Sequence, residues 1–128
     1  MSSFLWDTHT FIWVSENHPN LPSNLRNTID VADTVYVSIA SLWEIAIKLN
    51  TGKLSLKRSY EAIGTELESS DILLLPISFA DTVEIRNLPL HHRAPFDRIL
   101  VAQAMNHSLV LISRDSAFDA YPIHRLWS

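Results

Sequence analysis

The chain has 128 residues, 47% of them hydrophobic, which suits one globular domain over 1–128 with its own core and excludes a disordered chain or a second domain. It has no cysteine, so disulfide scaffolds and thiolate metal sites are excluded, and the composition fits a reducing compartment. The net charge of −4, from 10 Lys and Arg against 14 Asp and Glu, excludes nucleic-acid binding by bulk charge. For such a partner positive charge would have to be local, and a divalent cation can supply it.

The N-terminal stretch MSSFLWDTHTF has no basic leader region and meets an aspartate at position 7, unlike a signal peptide. FLW at 4–6 reads as a strand and THTFIWVSE as a first helix. Residues 22–32, PSNLRNTIDVA, read as a second helix with Pro22 near its start. VYVS at 35–38 is a β-branched and aromatic strand. SIASLWEIAIKLNTG follows as a helix stopped by Gly52 at C′. Residues 59–69 form a weaker helix, ILLLPI a buried strand ending at Pro76, and residues 78–87 another helix. APFDRILVAQAMNH has the strongest helical pattern, with Pro95 at the first helical position. LVLIS at 109–113 is a short apolar strand; a turn of helix at 115–120 leads to an edge strand near 123–126. All the apolar runs are too short to cross a bilayer, so the expected location is the cytoplasm.

Strands alternating with helices of ten or more residues predict a three-layer α/β/α fold with a mainly parallel sheet. The strands are continuously apolar, as expected where both sheet faces are covered. Ligands of such sheets bind at the carboxyl ends of the strands, which is where functional side chains are to be sought.

Four of the fourteen acidic residues stand in apolar surroundings. Asp7 follows the first strand and Asp115 the strand LVLIS, so both fall at the carboxyl edge. Asp97 is in the first turn of the 95–107 helix. Glu44 lies within LWEIAIKL, where Lys48 is the only other charge. Each has a structural explanation of its own. Asp7 and Asp115 suit helix N-caps, and Asp97 at N3 complements the helix dipole. Ser41-Leu42-Trp43-Glu44 matches a capping box, with Glu44 and Lys48 an i,i+4 pair. Taken together, they bring four carboxylates toward one sheet edge, where they raise one another's pKa unless a cation neutralises them. Oxygen ligands without cysteine suit Mg²⁺ or Mn²⁺, and such a site supports in-line attack of water on a phosphodiester.

LWDTHTFIW, VSIASLWEIAIKLNTGKL, LPLHHRAPFDRILVAQA and LVLISRD resemble, in order and spacing, the PIN-domain family, and more narrowly its VapC-like toxins of type II toxin–antitoxin modules. The likeness runs from about residue 3 to the C-terminal RLW. It implies a flavodoxin-like parallel sheet and a Mg²⁺- or Mn²⁺-dependent ribonuclease. It further implies a homodimer that is inhibited by an antitoxin encoded beside it. The family's acidic set falls on Asp7, Glu44, Asp97 and Asp115: Asp7 and Asp97 as the most direct metal ligands, Glu44 as a ligand or as the residue that orients a metal-bound water, and Asp115 as a support. Thr8 and Ser113 match the family's small polar residues beside the acids. In one place the chain departs from the pattern. The subgroup reads His-Arg-Asp-Pro-Phe-Asp-Arg, and here Ala94 replaces the first aspartate, removing an N-cap acceptor worth about 0.5–2 kcal/mol and one negative charge next to Asp97.

Arg93 and Arg98 flank Asp97 and are candidate phosphate contacts, as are Arg114 and, with less to recommend them, His91 and His92. Arg98 also suits simple pairing with a neighbouring carboxylate. The tryptophans, Trp6, Trp13, Trp43 and Trp127, read as core or interface packing. His9, His18, His107 and His124 show no ligand spacing. Two functions compete: a metal-dependent endoribonuclease toxin acting on unpaired RNA, and a PIN-like protein with a weakened site that only binds RNA or a partner. An aspartyl-phosphate enzyme fits poorly, because Asp-Thr-His at 7–9 lacks the second aspartate of D-x-D. A receiver domain fits no better, because ILLLPIS offers no acceptor aspartate.

Overall fold

A computed structural model describes residues 3–25, 34–92 and 94–127. In chain order it contains β1 (Ser3–Trp6), α1 (Thr8–Ser15), β2 (Thr34–Ser38), α2 (Ile39–Asn50), α3 (Tyr60–Glu68), β3 (Leu73–Leu75), α4 (Phe79–Asn87), α5 (Pro95–His107), β4 (Val110–Ile112), a 3₁₀ turn (Ser116–Ala120) and β5 (Arg125–Leu126). Of the helix expected over 22–32, residues 23–25 are helical and the part beyond Leu25 lies outside the described residues.

The five strands form one parallel sheet in the order β3-β2-β1-β4-β5. Alternation along the strands divides the core between its two faces. Phe4 and Trp6 of β1, Val37 of β2 and Ile112 of β4 pack with Phe11, Ile12, Leu42, Ile45 and Ile63 from α1, α2 and α3. Leu5 and Leu111, one residue out of phase, pack on the opposite face with Leu100, Val101 and Ala104 of α5 and with Phe118 and Tyr121. These two apolar clusters are the reason for the three layers expected from the sequence.

β3 is the exception to the expected burial. It is an edge strand, paired only with β2, and Leu73 and Leu74 are 50% and 46% exposed. Its apolar run therefore does not report two covered faces.

Local chemistry fixes the helix ends. Ser38, Ser59 and Ser78 cap α2, α3 and α4. The capping box expected at Ser41 is not used: the helix begins three residues earlier, with Ser38 Oγ accepting from Ala40 N–H, and Ser41 Oγ is buried without a partner. α2 stops as expected. Gly52 takes φ +75°, and the N–H groups of Gly52 and Lys53 return to the carbonyls of Leu49 and Lys48, the paired bonds of a Schellman motif.

The chain runs from β1 outward through β2 and β3, then returns to the other side of β1 as β4. The strand order thus reverses between β1 and β4, and the crevice beyond their carboxyl ends is the ligand position of an open parallel sheet. Asp7 N–H bonds to Ile112 O at 3.1 Å and fastens the floor of that crevice.

Candidate functional site

A cleft of about 590 Å³ opens at this reversal and is lined by Asp7, Glu44, Asp97 and Asp115, the four acids singled out in the sequence. Thr8, His9, Lys48, Ala94 and Arg114 also line it, together with Trp13 and Trp127.

Each acid is brought there by a different element. Asp7 is both the N-cap of α1 and a wall of the cleft. Its Oδ1 accepts from Thr10 N–H at 2.9 Å, and its Oδ2 accepts from Ser113 Oγ at 2.7 Å. The capping and functional explanations are therefore compatible, one oxygen serving the helix and the other facing the end of β4. Asp7 and Ser113 are both buried. Asp115 caps the 3₁₀ turn through Ala117 N–H, and its own N–H bonds to Ser113 Oγ at 3.0 Å.

Glu44 reaches the cleft from the first turns of α2. Thr8 Oγ1 donates to its Oε1 at 2.6 Å, and Lys48 Nζ pairs with its Oε2 at 2.8 Å. Asp97, at N3 of α5, is half-buried and has no hydrogen-bond or ion-pair partner among the described residues. Its pKa is raised to about 6, first by burial, then by the charge of Glu44, with Asp7 and Asp115 adding to it and His92 opposing. Three carboxylates thus push on a fourth that has no hydrogen-bond or ion-pair partner among the described residues.

Among the described residues no three His, Asp or Glu side chains converge closely enough to hold a metal ion. The hydrogen bonds show why: Asp7, Glu44 and Asp115 are each turned toward protein donors. The donor set nevertheless fits a hard divalent cation. It is all oxygen, it surrounds one cleft, and its unpartnered member, Asp97, carries the electrostatic penalty that a cation would relieve.

The basic residues take different positions. Arg98 acts as a clamp within the fold. Its guanidinium donates to the carbonyls of Ile85, Leu88, Pro89 and His92, so it ties the end of α4 and the 88–92 loop to α5. Arg93 lies outside the described residues. Arg114 is exposed on the cleft wall with its guanidinium 5.8 Å from the centre of the Trp13 ring, and Lys48 also lines the cleft.

The tryptophans do not share one role. Trp6 is buried core, Trp43 is 54% exposed, and Trp13 and Trp127 meet at 5.8 Å on the cleft wall. His9, set aside in the sequence, also lines the cleft. His92 stacks its ring with Phe118 and with Tyr121 and has its Nε2 3.1 Å from Asp115 Oδ2. No sequence spacing connects 92 with 115; only the stacking of the loop on the 3₁₀ turn does.

Comparison with known proteins agrees with this architecture. Solved structures of the same fold include FitAcB from Neisseria gonorrhoeae, 22% identical over 96% of each chain with a TM-score of 0.64. VapBC2 from Rickettsia felis, bound to a DNA fragment from their promoter, is 14% identical over 97% of each chain with a TM-score of 0.73. DNA-bound VapBC from Salmonella typhimurium is 21% identical over 100% of each chain with a TM-score of 0.68. No curated protein matches the sequence. The family model of the PIN domain matches residues 4–123, nearly the whole chain, and the chain belongs to that family.

Proposed function

We propose that this PIN-domain protein is a metal-dependent endoribonuclease toxin of a type II toxin–antitoxin module. The observation that carries the reading is the state of Asp97, an unpartnered carboxylate pressed by burial and by the other acids of the cleft. Such an arrangement is unfavourable on its own and becomes favourable around a cation. Asp7 and Asp97 would hold Mg²⁺ or Mn²⁺ most directly, with Glu44 and Asp115 completing the set. When bound, the ion supplies Lewis-acid assistance to attack of water on an RNA phosphodiester.

The protein's own residues prepare that chemistry. Ser113 and Thr10 fix the two oxygens of Asp7, and Thr8 and Lys48 fix those of Glu44. Arg114 and Lys48 supply local positive charge to a chain of net charge −4, and they are the phosphate contacts of this reading. Unpaired RNA is the substrate class of this reading, because an unstacked backbone is the form of RNA that a side-chain cleft reaches most readily.

An antitoxin partner is part of the proposal, supported by the VapBC proteins among the structural relatives. So is a homodimer. Ile39, Trp43 and Ile47 are exposed at i, i+4 and i+8 on one face of α2, and Trp43 meets Phe96 edge-on at 5.1 Å, an apolar face suited to a second copy. Among the described residues no helix is long and apolar enough to cross a membrane, and the proposed site of action is the cytoplasm.

The test is incubation of antitoxin-free protein with total RNA, with and without Mn²⁺, beside Asp7→Asn. Cleavage that needs the ion and the aspartate is expected; its absence in folded wild-type protein sinks the nuclease reading. Ala94 supports a second one. It lines the cleft at the N-cap of α5 with no side-chain cap bond, where an aspartate would add a fifth carboxylate. RNA binding without turnover would identify a weakened, binding-only protein.

A further inference from the structure

The segment between α4 and α5 carries two histidines that the proposed chemistry does not use. His91 is exposed, with its ring edge-on to Tyr121 at 5.1 Å. His92 is different. Its side chain is only 9% exposed, and its ring stacks with Phe118, 4.5 Å away at 24°, and with Tyr121, 5.6 Å away at 23°.

Hydrogen bonds fix the direction of that ring. The His92 N–H donates to Tyr121 Oη at 3.0 Å, so the phenol accepts there. The same oxygen is 3.2 Å from His92 Nδ1. With one lone pair engaged by the backbone, the phenol is free to give its hydrogen to Nδ1. The ring hydrogen is then on Nε2, which lies 3.1 Å from Asp115 Oδ2. The ring of His92 is thus directed so that Nε2 donates to the carboxylate.

Asp115 needs such a donor. Its side chain is 49% exposed, on a turn rather than a strand, and Ala117 N–H holds only Oδ1. The other end of the network runs through the Asp115 N–H to Ser113 Oγ and from there to Asp7 Oδ2.

The geometry points to His92 as a positioning residue that aims Asp115 into the cleft, with Tyr121 setting the ring's direction. This inference rests on the metal-dependent reading of the cleft. Partners that orient a ligand are commonly worth 10–100-fold in metal affinity.

The experiment measures Mn²⁺ binding to the metal-free full-length protein by titration calorimetry, with thermal denaturation of every variant as a control for folding. His92→Ala should weaken Mn²⁺ binding about tenfold. His92→Gln places an amide N–H near the position of Nε2 and should recover most of the affinity. His92→Asn places its amide near Nδ1, keeps a partner for Tyr121 and should behave like alanine. In an Asp115→Asn background, His92→Ala should add little, because the two residues act as one unit.

Equal Mn²⁺ affinity in wild type and His92→Ala overturns the assignment, as does a full additional loss in the Asp115→Asn background. Gln and Asn variants equally impaired would show packing rather than orientation, and would overturn it too. A wild-type protein that neither binds Mn²⁺ nor cleaves RNA removes the nuclease reading itself, an outcome distinct from loss of the His92 effect alone.

Discussion

Ser113 Oγ donates to Asp7 Oδ2 at 2.7 Å, joining the ends of two adjacent parallel strands across 106 residues of sequence. The same hydroxyl accepts from Asp115 N–H, so one buried serine sets the position of two acids of the cleft. Ser113→Ala should leave a buried carboxylate oxygen and a backbone N–H without partners, at a cost of about 1–3 kcal/mol. Urea denaturation should show the lower midpoint. Metal-dependent cleavage should fall further than the stability loss explains, because Oδ2 of Asp7 is then no longer fixed while Oδ1 keeps its bond to Thr10 N–H.

Asp97 carries the opposite kind of energy. Its pKa of about 6 in the folded protein stands above the ordinary 3.8, so at neutral pH the ionised residue opposes folding. As pH falls from about 6 toward 4 the folded state takes up a proton that the unfolded state does not, and the metal-free protein should gain stability from this group. Asp97→Asn should raise the melting temperature of the metal-free protein at pH 7 and abolish cleavage. Mn²⁺ should stabilise the wild type and not the variant. A variant less stable than wild type at pH 7 would contradict the electrostatic account of the site.

Asp81 has the reverse sign. It is fully buried, which alone would raise its pKa, but the Ser78 N–H, the Asn106 amide and the Ser78 hydroxyl outweigh burial and lower it below 3.8. These bonds close the capping box of α4 and tie α4 to α5. The stabilisation is fully present above the unfolded value near 4 and is lost as pH falls through the lower folded value. Acid titration of circular dichroism should show wild type losing this contribution below about pH 4. Asp81→Asn should be less stable at pH 7 and should lose that part of the acid dependence.

Which of these features are visible in the sequence follows from their range. Asp7 follows its strand directly and Asp115 follows its own after two residues, and a parallel sheet puts every strand end at one edge, so their meeting is implied by local pattern and topology. Pro95 and Gly52 mark helix ends through backbone chemistry that acts within a few residues. The exposure of Leu73 and Leu74 is a property of strand order, which the run ILLLPI does not encode. The Arg98 clamp and the His92–Asp115 bond depend on how one loop folds back, and no periodicity reports the path of a loop. The Asp97 pKa is likewise collective, set by burial and by the charges of Glu44, His92, Asp7 and Asp115.

The two described arginines near the cleft should separate by experiment. Arg98 holds four carbonyls, so Arg98→Ala should cost about 1–3 kcal/mol and destabilise the 88–92 loop. Arg114 is exposed and makes no hydrogen bond with the described residues, so Arg114→Ala should leave the melting temperature nearly unchanged and raise KM for RNA. The KM effect should shrink as salt rises, because a phosphate contact is screened. Equal melting temperatures for Arg98→Ala and wild type would remove the clamp.

Ala94 is where the chain departs from the motif of the subgroup it resembles, and its backbone is already that of an N-cap, with φ −63° and ψ 119° and Pro95 at N1. Ala94→Asp should therefore need no rearrangement. Its carboxylate would accept from an N–H of the first turn of α5 and interact favourably with the helix dipole, together worth about 0.5–2 kcal/mol. Against this stands the new charge close to Asp97, an acid already pressed by its neighbours. The cap is a short-range bond and the repulsion is long-range, so added salt should screen the second and leave the first. The expected result is a modest rise in melting temperature at low salt and a larger one at high salt. Mn²⁺ should enlarge the rise further, since a cation between the carboxylates turns repulsion into shared coordination. If Ala94→Asp also speeds cleavage, the alanine attenuates the site; if cleavage is unchanged, its effect is confined to the helix end.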